Sequence, residues 1–292
     1  MAQISAEPIS QEQIQAICRL MQDCGQTATG QTAFQVYEKG KQDYVTDVDR
    51  ALDQQLTRGF SALFPADPII TEENPDSWQA FRPDADRLWL IDPLDGTDDF
   101  IQGSDYYALM VGLSLAHQPL LGWIYAPALE RLYYGGPQLG LFQILGSQAP
   151  QPLLLQPPAP PSADFCPILI GSKDQRAWGE ALLQQIPNAQ FSYVGSFGLK
   201  VMQVVLGQAG LYTYFNRRVK LWDTTGPLAL AAAAGLVCCD LNGAPLRFTP
   251  DAVASETLAH RQTLIIGWPS YVEALLPRVQ QAVQLTEVKF VD

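Results

Sequence analysis

The sequence predicts a layered α/β fold built in two halves. Two observations lead there. Short apolar runs of strand type alternate with stretches of helical spacing along the chain. A proline-rich, weakly charged segment, "GSQAPQPLLLQPPAPPSADF" from Gly146 to Phe165, interrupts that series and reads as a semi-rigid connection. The 292 residues leave room for one large domain or two packed ones, and 47% apolar with 16% charged residues is the composition of a globular core.

The elements follow in order. Ile9, Ile14, Ile17, Leu20 and Met21 recur at helical spacing, with Ser10 available as a cap. A second helix is expected from about Thr46 through Phe60, carrying Val48, Leu52 and Leu56. "PIIT" (Pro68 to Thr71) and "RLWLID" (Arg87 to Asp92) read as short buried strands that run into acidic residues. Pro93 removes a ladder donor and fixes φ, so the chain is expected to turn there. Tyr107 to Leu115 and Leu120 to Tyr125 alternate around the turn "AHQP", and "RLYY" and "LGLFQIL" continue an antiparallel series. Beyond the connection come "PILIGS", a helix near Arg176 to Gln185, "AQFSYV", a helix near Leu199 to Leu206, and "GLYTYF". A helix near Thr225 to Ala234, the strand "TLIIG" and a last helix from Ser270 to about Val283 complete the chain.

Composition narrows the function. A formal charge of −12 disfavours nucleic-acid polymers and anionic membrane surfaces. The five cysteines form no CxxC pair, which suits reduced thiols in a cytoplasmic protein. "MAQISAEPIS" lacks the features of a signal peptide, and the apolar run Pro227 to Cys239 is too short to span a bilayer. The two histidines sit beside no nucleophile motif, so triad and zinc chemistry are poorly served, and no phosphate-loop glycine pattern is present. Oxygen ligands are abundant, and these suit hard cations.

"LWLIDPLDGTDDF", Leu88 to Phe100, drives an apolar strand into four aspartates. Carboxylates so close cannot all ionise cheaply unless cations lie among them. Gly96 and Thr97 can open a helical turn whose free N–H groups suit an anion. Metal-binding carboxylates beside phosphate-binding amides are what a metal-assisted phosphate hydrolase needs. Alone, Asp92 and Asp95 could equally be turn residues and caps.

With Trp89 before it and Phe100 after, the stretch resembles "WxIDPxDGTxxF", the signature of the inositol monophosphatase family of metal-dependent phosphatases. Three further segments resemble family motifs in the expected order: "DYVTDVD" (Asp43 to Asp49), "ITEEN" (Ile70 to Asn74) and "LWDTTGPLALAAAAGL" (Leu221 to Leu236). The resemblance implies a five-layer αβαβα sandwich of the inositol monophosphatase and fructose-bisphosphatase type. Residues 1–150 would form an N-terminal half carrying the main metal site, and residues 163–292 a C-terminal half carrying the W-D motif.

It further implies Mg²⁺ ligands at Glu72, Asp92, Asp95 and Asp223 and at the main-chain carbonyl of Leu94, for two or three ions per site, with Glu73 in support. The attacking water would be held through Glu72 and a Thr97–Asp49 pair, while Gly96 and Thr97 receive phosphate. An active, lithium-sensitive phosphomonoesterase is expected, and family members are often homodimers.

Substrate choice rests on fewer residues. The inositol branch carries a glutamate shortly before its W-D motif, whereas "GLYTYFNRRVKLW", Gly210 to Trp222, has no acid and offers Arg217, Arg218 and Lys220. These read either as a clamp for a second phosphate or as a solvated loop. "VGSFG", Val194 to Gly198, would start a helix whose amides at Gly195 and Ser196 face the substrate, or is a packing turn. "TEENPDSW" and "YAPALERLYY" resemble the bisphosphate-nucleotidase branch, and Gln102 stands where the inositol branch often has histidine. Adenosine 3′,5′-bisphosphate is therefore expected ahead of inositol monophosphate as the small phosphorylated partner. The alternatives are a fructose-1,6-bisphosphatase-type sugar phosphatase and a sensor that binds metal and phosphometabolites without turnover.

Overall fold

The computed structural model describes residues 9–289, apart from residues 32, 41 and 42. Helix α1 (Gln11–Gly30) begins at Ser10, whose side chain caps Gln13 N in a reciprocal capping box. A hairpin of β1 (Val36–Gly40) and β2 (Asp43–Thr46) leads into α2 (Asp47–Leu63), capped by Thr46. A seven-stranded sheet follows, with its strands lying side by side in chain order: β3 (Ile69–Thr71), β4 (Arg87–Asp95), β5 (Ala108–Leu115), β6 (Gln118–Ala126), β7 (Arg131–Gly136), β8 (Gly140–Leu145) and β9 (Gln151–Pro152). Its pairings are antiparallel except that of β3 with β4. The short helix α3 (Thr97–Ile101) stands between β4 and β5.

A second sheet has the order β11-β10-β12-β14-β13, from β10 (Pro167–Ile170), β11 (Gln190–Ser192), β12 (Leu211–Tyr214), β13 (Val237–Cys239) and β14 (Leu264–Gly267). Its helices are α4 (Ser172–Gln185), α5 (Phe197–Val205), α6 (Leu221–Ala233) and α7 (Pro269–Lys289). Helices α1 and α2 lie against one face of the first sheet, and α5 and α6 fill the space between the sheets. Helix α4 packs on α7, which lies against β14 on the far side. The result is an αβαβα stack of five layers.

Strand parity decides what faces what. Along β4, Trp89 and Ile91 belong to the core under α1 and α2, whereas Leu88 and Leu90 belong to the core shared with α5, α6 and the second sheet. Asp92 continues the Leu88–Leu90 series and so comes to the α6 side. Glu72, two residues past the buried Ile70 of β3, has the same parity. Helix α6 reaches this face because glycines line the contact. A Cβ at Gly122 would fall 2.1 Å from Gly226 O, and one at Gly112 would fall 2.4 Å from Gly226 N. The backbone of α6 therefore rests directly on β5 and β6.

Two expectations need correction. Strand β4 does not end at Asp92 but continues to Asp95, with a shift of register between them. A bulge there absorbs Pro93, which has no N–H to give, and Asp92 Oδ1 takes the Leu94 N–H at 3.0 Å. The proline-rich connection contributes β9 to the sheet edge before it leaves, pairing with β8. Cys18, Cys24, Cys166, Cys238 and Cys239 are free thiols. Burial pushes the neighbouring Cys238 and Cys239 thiols up to about 12 and about 11, so neither is poised as a thiolate. Among the described residues no helix is long and apolar enough to cross a membrane.

Candidate metal centre

Three carboxylates converge where β3, β4 and α6 meet. Glu72, Asp92 and Asp223 each offer an oxygen, and these lie within 4.8 Å of one another. Each is fixed by its own backbone. Glu72 N donates to Ile91 O at 3.1 Å, tying the end of β3 to β4. Asp92 is buried in the bulge. Asp223 lies in the first turn of α6, where its Oδ2 accepts the Lys220 N–H at 2.5 Å. The Trp78 and Trp222 rings pack at 5.0 Å beside it.

Burial and nearby negative charge raise Asp92, Asp223 and the adjoining Glu73. Desolvation, then the charges of Glu72, Asp95 and Asp223, lifts Asp92 well above the usual carboxylate range. Desolvation and Glu72 lift Asp223 to about 7. Glu73 is also raised to about 7, first by burial and then by Glu72. Hard oxygen donors gathered so closely, one buried and two half-buried, fit a divalent cation, whose charge would remove the repulsion.

Asp95 stands beside this trio but is engaged elsewhere. Its Oδ2 accepts the Ser196 hydroxyl and, at 2.8 Å, the Gly198 N–H at the start of α5. Leu94 O lies 3.0 Å from Thr97 Oγ1. That hydroxyl is also 3.1 Å from Asp49 Oδ1, while Asp49 Oδ2 accepts the Thr46 N–H at 2.8 Å. Gly96 needs its φ of +92°, and a Cβ there would lie 3.2 Å from Ser196 N and from Tyr106 O. The left-handed φ and close backbone on both sides, from Tyr106 and Ser196, thus account for this glycine.

One comparison decides the family. The model of the inositol monophosphatase family matches residues 6–284.

The chain belongs to the inositol monophosphatase family.

It is a phosphoric monoester hydrolase of that metal-dependent family, acting on small phosphorylated metabolites. A curated relative, the 3′(2′),5′-bisphosphate nucleotidase CysQ of Escherichia coli (strain K12), is 31% identical over 238 residues, covering 80% of this chain and 93% of that protein. The Thermotoga maritima IMPase structure superposes with a TM-score of 0.74 at 19% identity, over 94% of this chain and 99% of that one. A Ca-bound IMPase family protein from Staphylococcus aureus gives 0.76 at 19% identity, over 94% and 96%.

Of the remaining expected residues of this inositol monophosphatase chain, Lys220 reaches the trio, with its Nζ 3.8 Å from Glu72 Oε1, whereas the two arginines line a separate cavity. Arg217 and Arg218 are exposed and line an open cavity of about 690 Å³ with Lys173, Asp174, Trp178 and Asn216; none of the four acidic residues of the expected ligand set lines it. The α5 amides do not all face an open site, because Asp95 takes that of Gly198; Ser196 N donates to Tyr106 O. Gly195 packs on Asp99, whose carboxyl carbon would be 2.2 Å from a Cβ.

Two lysines near the carboxylates escaped the sequence reading. Lys39 of β1 pairs with Glu72 at 3.3 Å and with Glu73. Burial works against its charge, but the two glutamates outweigh it and the net shift is upward. Lys200 is buried in α5, with Nζ donating to Gly195 O at 2.5 Å; burial lowers it to about 8 against the pull of Asp95 and Asp99. A lysine inside the apolar run "FGLKVMQVV" was a visible signal for the second. For Lys39 none was available, since its partners are 33 and 34 residues away.

Proposed function

We propose that this phosphatase uses Mg²⁺, two or three ions per site, to hydrolyse a small bisphosphorylated metabolite, with adenosine 3′,5′-bisphosphate first among the candidates. The observation that carries the reading is the Glu72–Asp92–Asp223 convergence, with the Asp49–Thr97 pair in the adjoining turn.

Glu72, Asp92, Asp95, Asp223 and the Leu94 carbonyl would hold the metal, with Glu73 in support. A divalent cation bound there supplies Lewis-acid polarisation of a phosphoryl oxygen and acidifies water. The residues of the chain do the rest. With its hydroxyl hydrogen donated to Asp49, Thr97 would have lone pairs on Oγ1 free to accept a hydrogen bond from the attacking water. The water's own lone pair is thereby turned toward phosphorus. Asp49, fixed by Thr46, keeps Thr97 in that orientation. Gly96 and Thr97 receive the phosphate at the opening of α3.

The substrate reading is supported by the nucleotidase relative and by the acid-free segment before Trp222, which carries Arg217, Arg218 and Lys220. Five free thiols suit a reducing compartment, and a cytoplasmic location is part of the reading. So is a homodimer, which light scattering would test.

The deciding experiment measures phosphate release from adenosine 3′,5′-bisphosphate, inositol 1-phosphate and fructose 1,6-bisphosphate, with Mg²⁺ and with EDTA. Mg²⁺-dependent turnover led by the nucleotide supports the proposal. Preference for inositol 1-phosphate overturns its substrate part, and binding without release points to a sensor.

A further inference from the structure

Ser196 is fully buried, yet it touches the candidate metal centre from the other half of the chain. Its hydroxyl bonds Asp95 Oδ2 across 101 residues and also accepts the Leu199 N–H at 3.0 Å. The main chain of Ser196 is pinned as well: its N–H donates to Tyr106 O at 3.1 Å, and its carbonyl accepts Lys200 N at 3.2 Å and Lys200 Nζ at 3.3 Å. Gly198 N–H adds a second donor to the same carboxylate oxygen. A serine so enclosed presents no hydroxyl to a substrate arriving from solvent. What it does present is a fixed donor to one oxygen of an acid beside the carboxylate trio.

We propose that Ser196 is a positioning residue for metal binding: with the Gly198 amide it clamps Asp95 at Oδ2 and leaves Oδ1 for the cation. The inference rests on the reading of Asp95 as a metal ligand and changes the role of Ser196 from substrate contact to support. A carboxylate held through one oxygen by two fixed donors loses rotational freedom before the cation arrives, which favours binding. The clamp also joins the layers. Asp95 ends a strand of the first sheet and Ser196 opens a helix between the sheets, so a loaded metal site and a correctly seated α5 favour one another.

The test uses the full-length protein, stripped with EDTA and titrated with Mg²⁺ by calorimetry, alongside steady-state kinetics. Ser196→Ala should weaken Mg²⁺ binding about tenfold, the lower end for loss of a supporting partner to a metal ligand. The loss in kcat should shrink as Mg²⁺ is raised. Because alanine also removes the α5 cap, Ser196→Gly serves as a second variant: glycine caps nearly as well as serine but lacks the hydroxyl. Ser196→Thr, which keeps the donor, should restore affinity. A normal Mg²⁺ dissociation constant in both Ser196→Ala and Ser196→Gly overturns the proposal. So does a raised substrate KM at saturating Mg²⁺ with metal affinity unchanged, since that is the signature of a substrate contact. Asp95→Asn separates the two levels: if it leaves Mg²⁺ affinity intact, the ligand reading itself fails; if it abolishes binding while Ser196→Ala does not weaken it, only the clamp fails.

Discussion

Thr97 Oγ1 lies 3.1 Å from Asp49 Oδ1, although 48 residues separate the two. The first turn of α2 and the opening of α3 meet there, and the contact gives a hydroxyl whose direction is set by a buried carboxylate. Thr97→Ala should lower kcat by about 100-fold while leaving Mg²⁺ affinity within a few-fold of wild type, as expected for loss of a group that acts on the attacking water. Steady-state rates with calorimetric metal titration would check it. An unchanged kcat would remove Thr97 from the mechanism.

Mg²⁺ should stabilise the protein by separating the repelling carboxylates. At 100 times its dissociation constant, a ligand that binds only the folded state adds about 2.7 kcal/mol. Melting curves with Mg²⁺ and with EDTA should therefore differ for the wild type. They should coincide for Asp92→Asn, in which a central carboxylate of the cluster is neutralised. A Mg²⁺-induced rise that survives in the variant would count against Asp92 as a ligand.

Arg217→Ala and Arg218→Ala together should raise KM for adenosine 3′,5′-bisphosphate by about tenfold or more, the loss of one charge-assisted contact. Turnover of a monophosphate should change little. Equal effects on both substrates would mark the cavity walled by Lys173 and Trp178 as unrelated to a second phosphate.

Gly122 sits under the α6 backbone. Gly122→Ala places a methyl carbon 2.1 Å from Gly226 O, and backbone cannot yield as a side chain can. The expected cost is about 3 kcal/mol, the upper end for overpacking, read as a lowered urea midpoint. Activity should fall too, because α6 carries Asp223 one turn before the contact. A variant as stable as the wild type would mean that the layers are not in direct contact.

His260 is buried beneath Phe248, with Nε2 2.8 Å from Thr224 Oγ1. Desolvation lowers it to about 4, against 6.5 in the open chain. Between those values the unfolded chain binds a proton that the folded protein refuses. The stability conferred by the neutral ring is thus complete above pH 6.5 and is lost as pH falls toward 4, amounting to about 3 kcal/mol. His260→Gln, which cannot titrate, should flatten that part of the urea-stability profile. An identical slope in the variant would refute the assignment.

Much of this was legible in the chain. The unbroken apolar run Leu88, Trp89, Leu90 and Ile91 marked a buried strand, and Ser10 and Thr46 stood where α1 and α2 begin. The acid-rich end of that strand raised the expectation of a cation, which became specific only with the family motif around it, since the aspartates alone could equally be turn residues and caps. The hairpin of β1 and β2 escaped notice, since its described residues carry little burial pattern, and so did β13, which has only three residues.

The sequence by itself determined which acids exist, on which strand ends and helix starts they stand, and to which family the motifs are similar. Those properties are local: periodicity, capping and turn chemistry act within a few residues. The meeting of Asp223 with Asp92 and Glu72 was implied only through the family resemblance; that Lys39 reaches Glu72 and that Ser196 takes an oxygen of Asp95 were decided by the tertiary structure alone. Each of these contacts is made by elements from different layers. Their partners were chosen by how the glycine-lined sheet, α5 and α6 stack, and no local pattern encodes a distance across that stack.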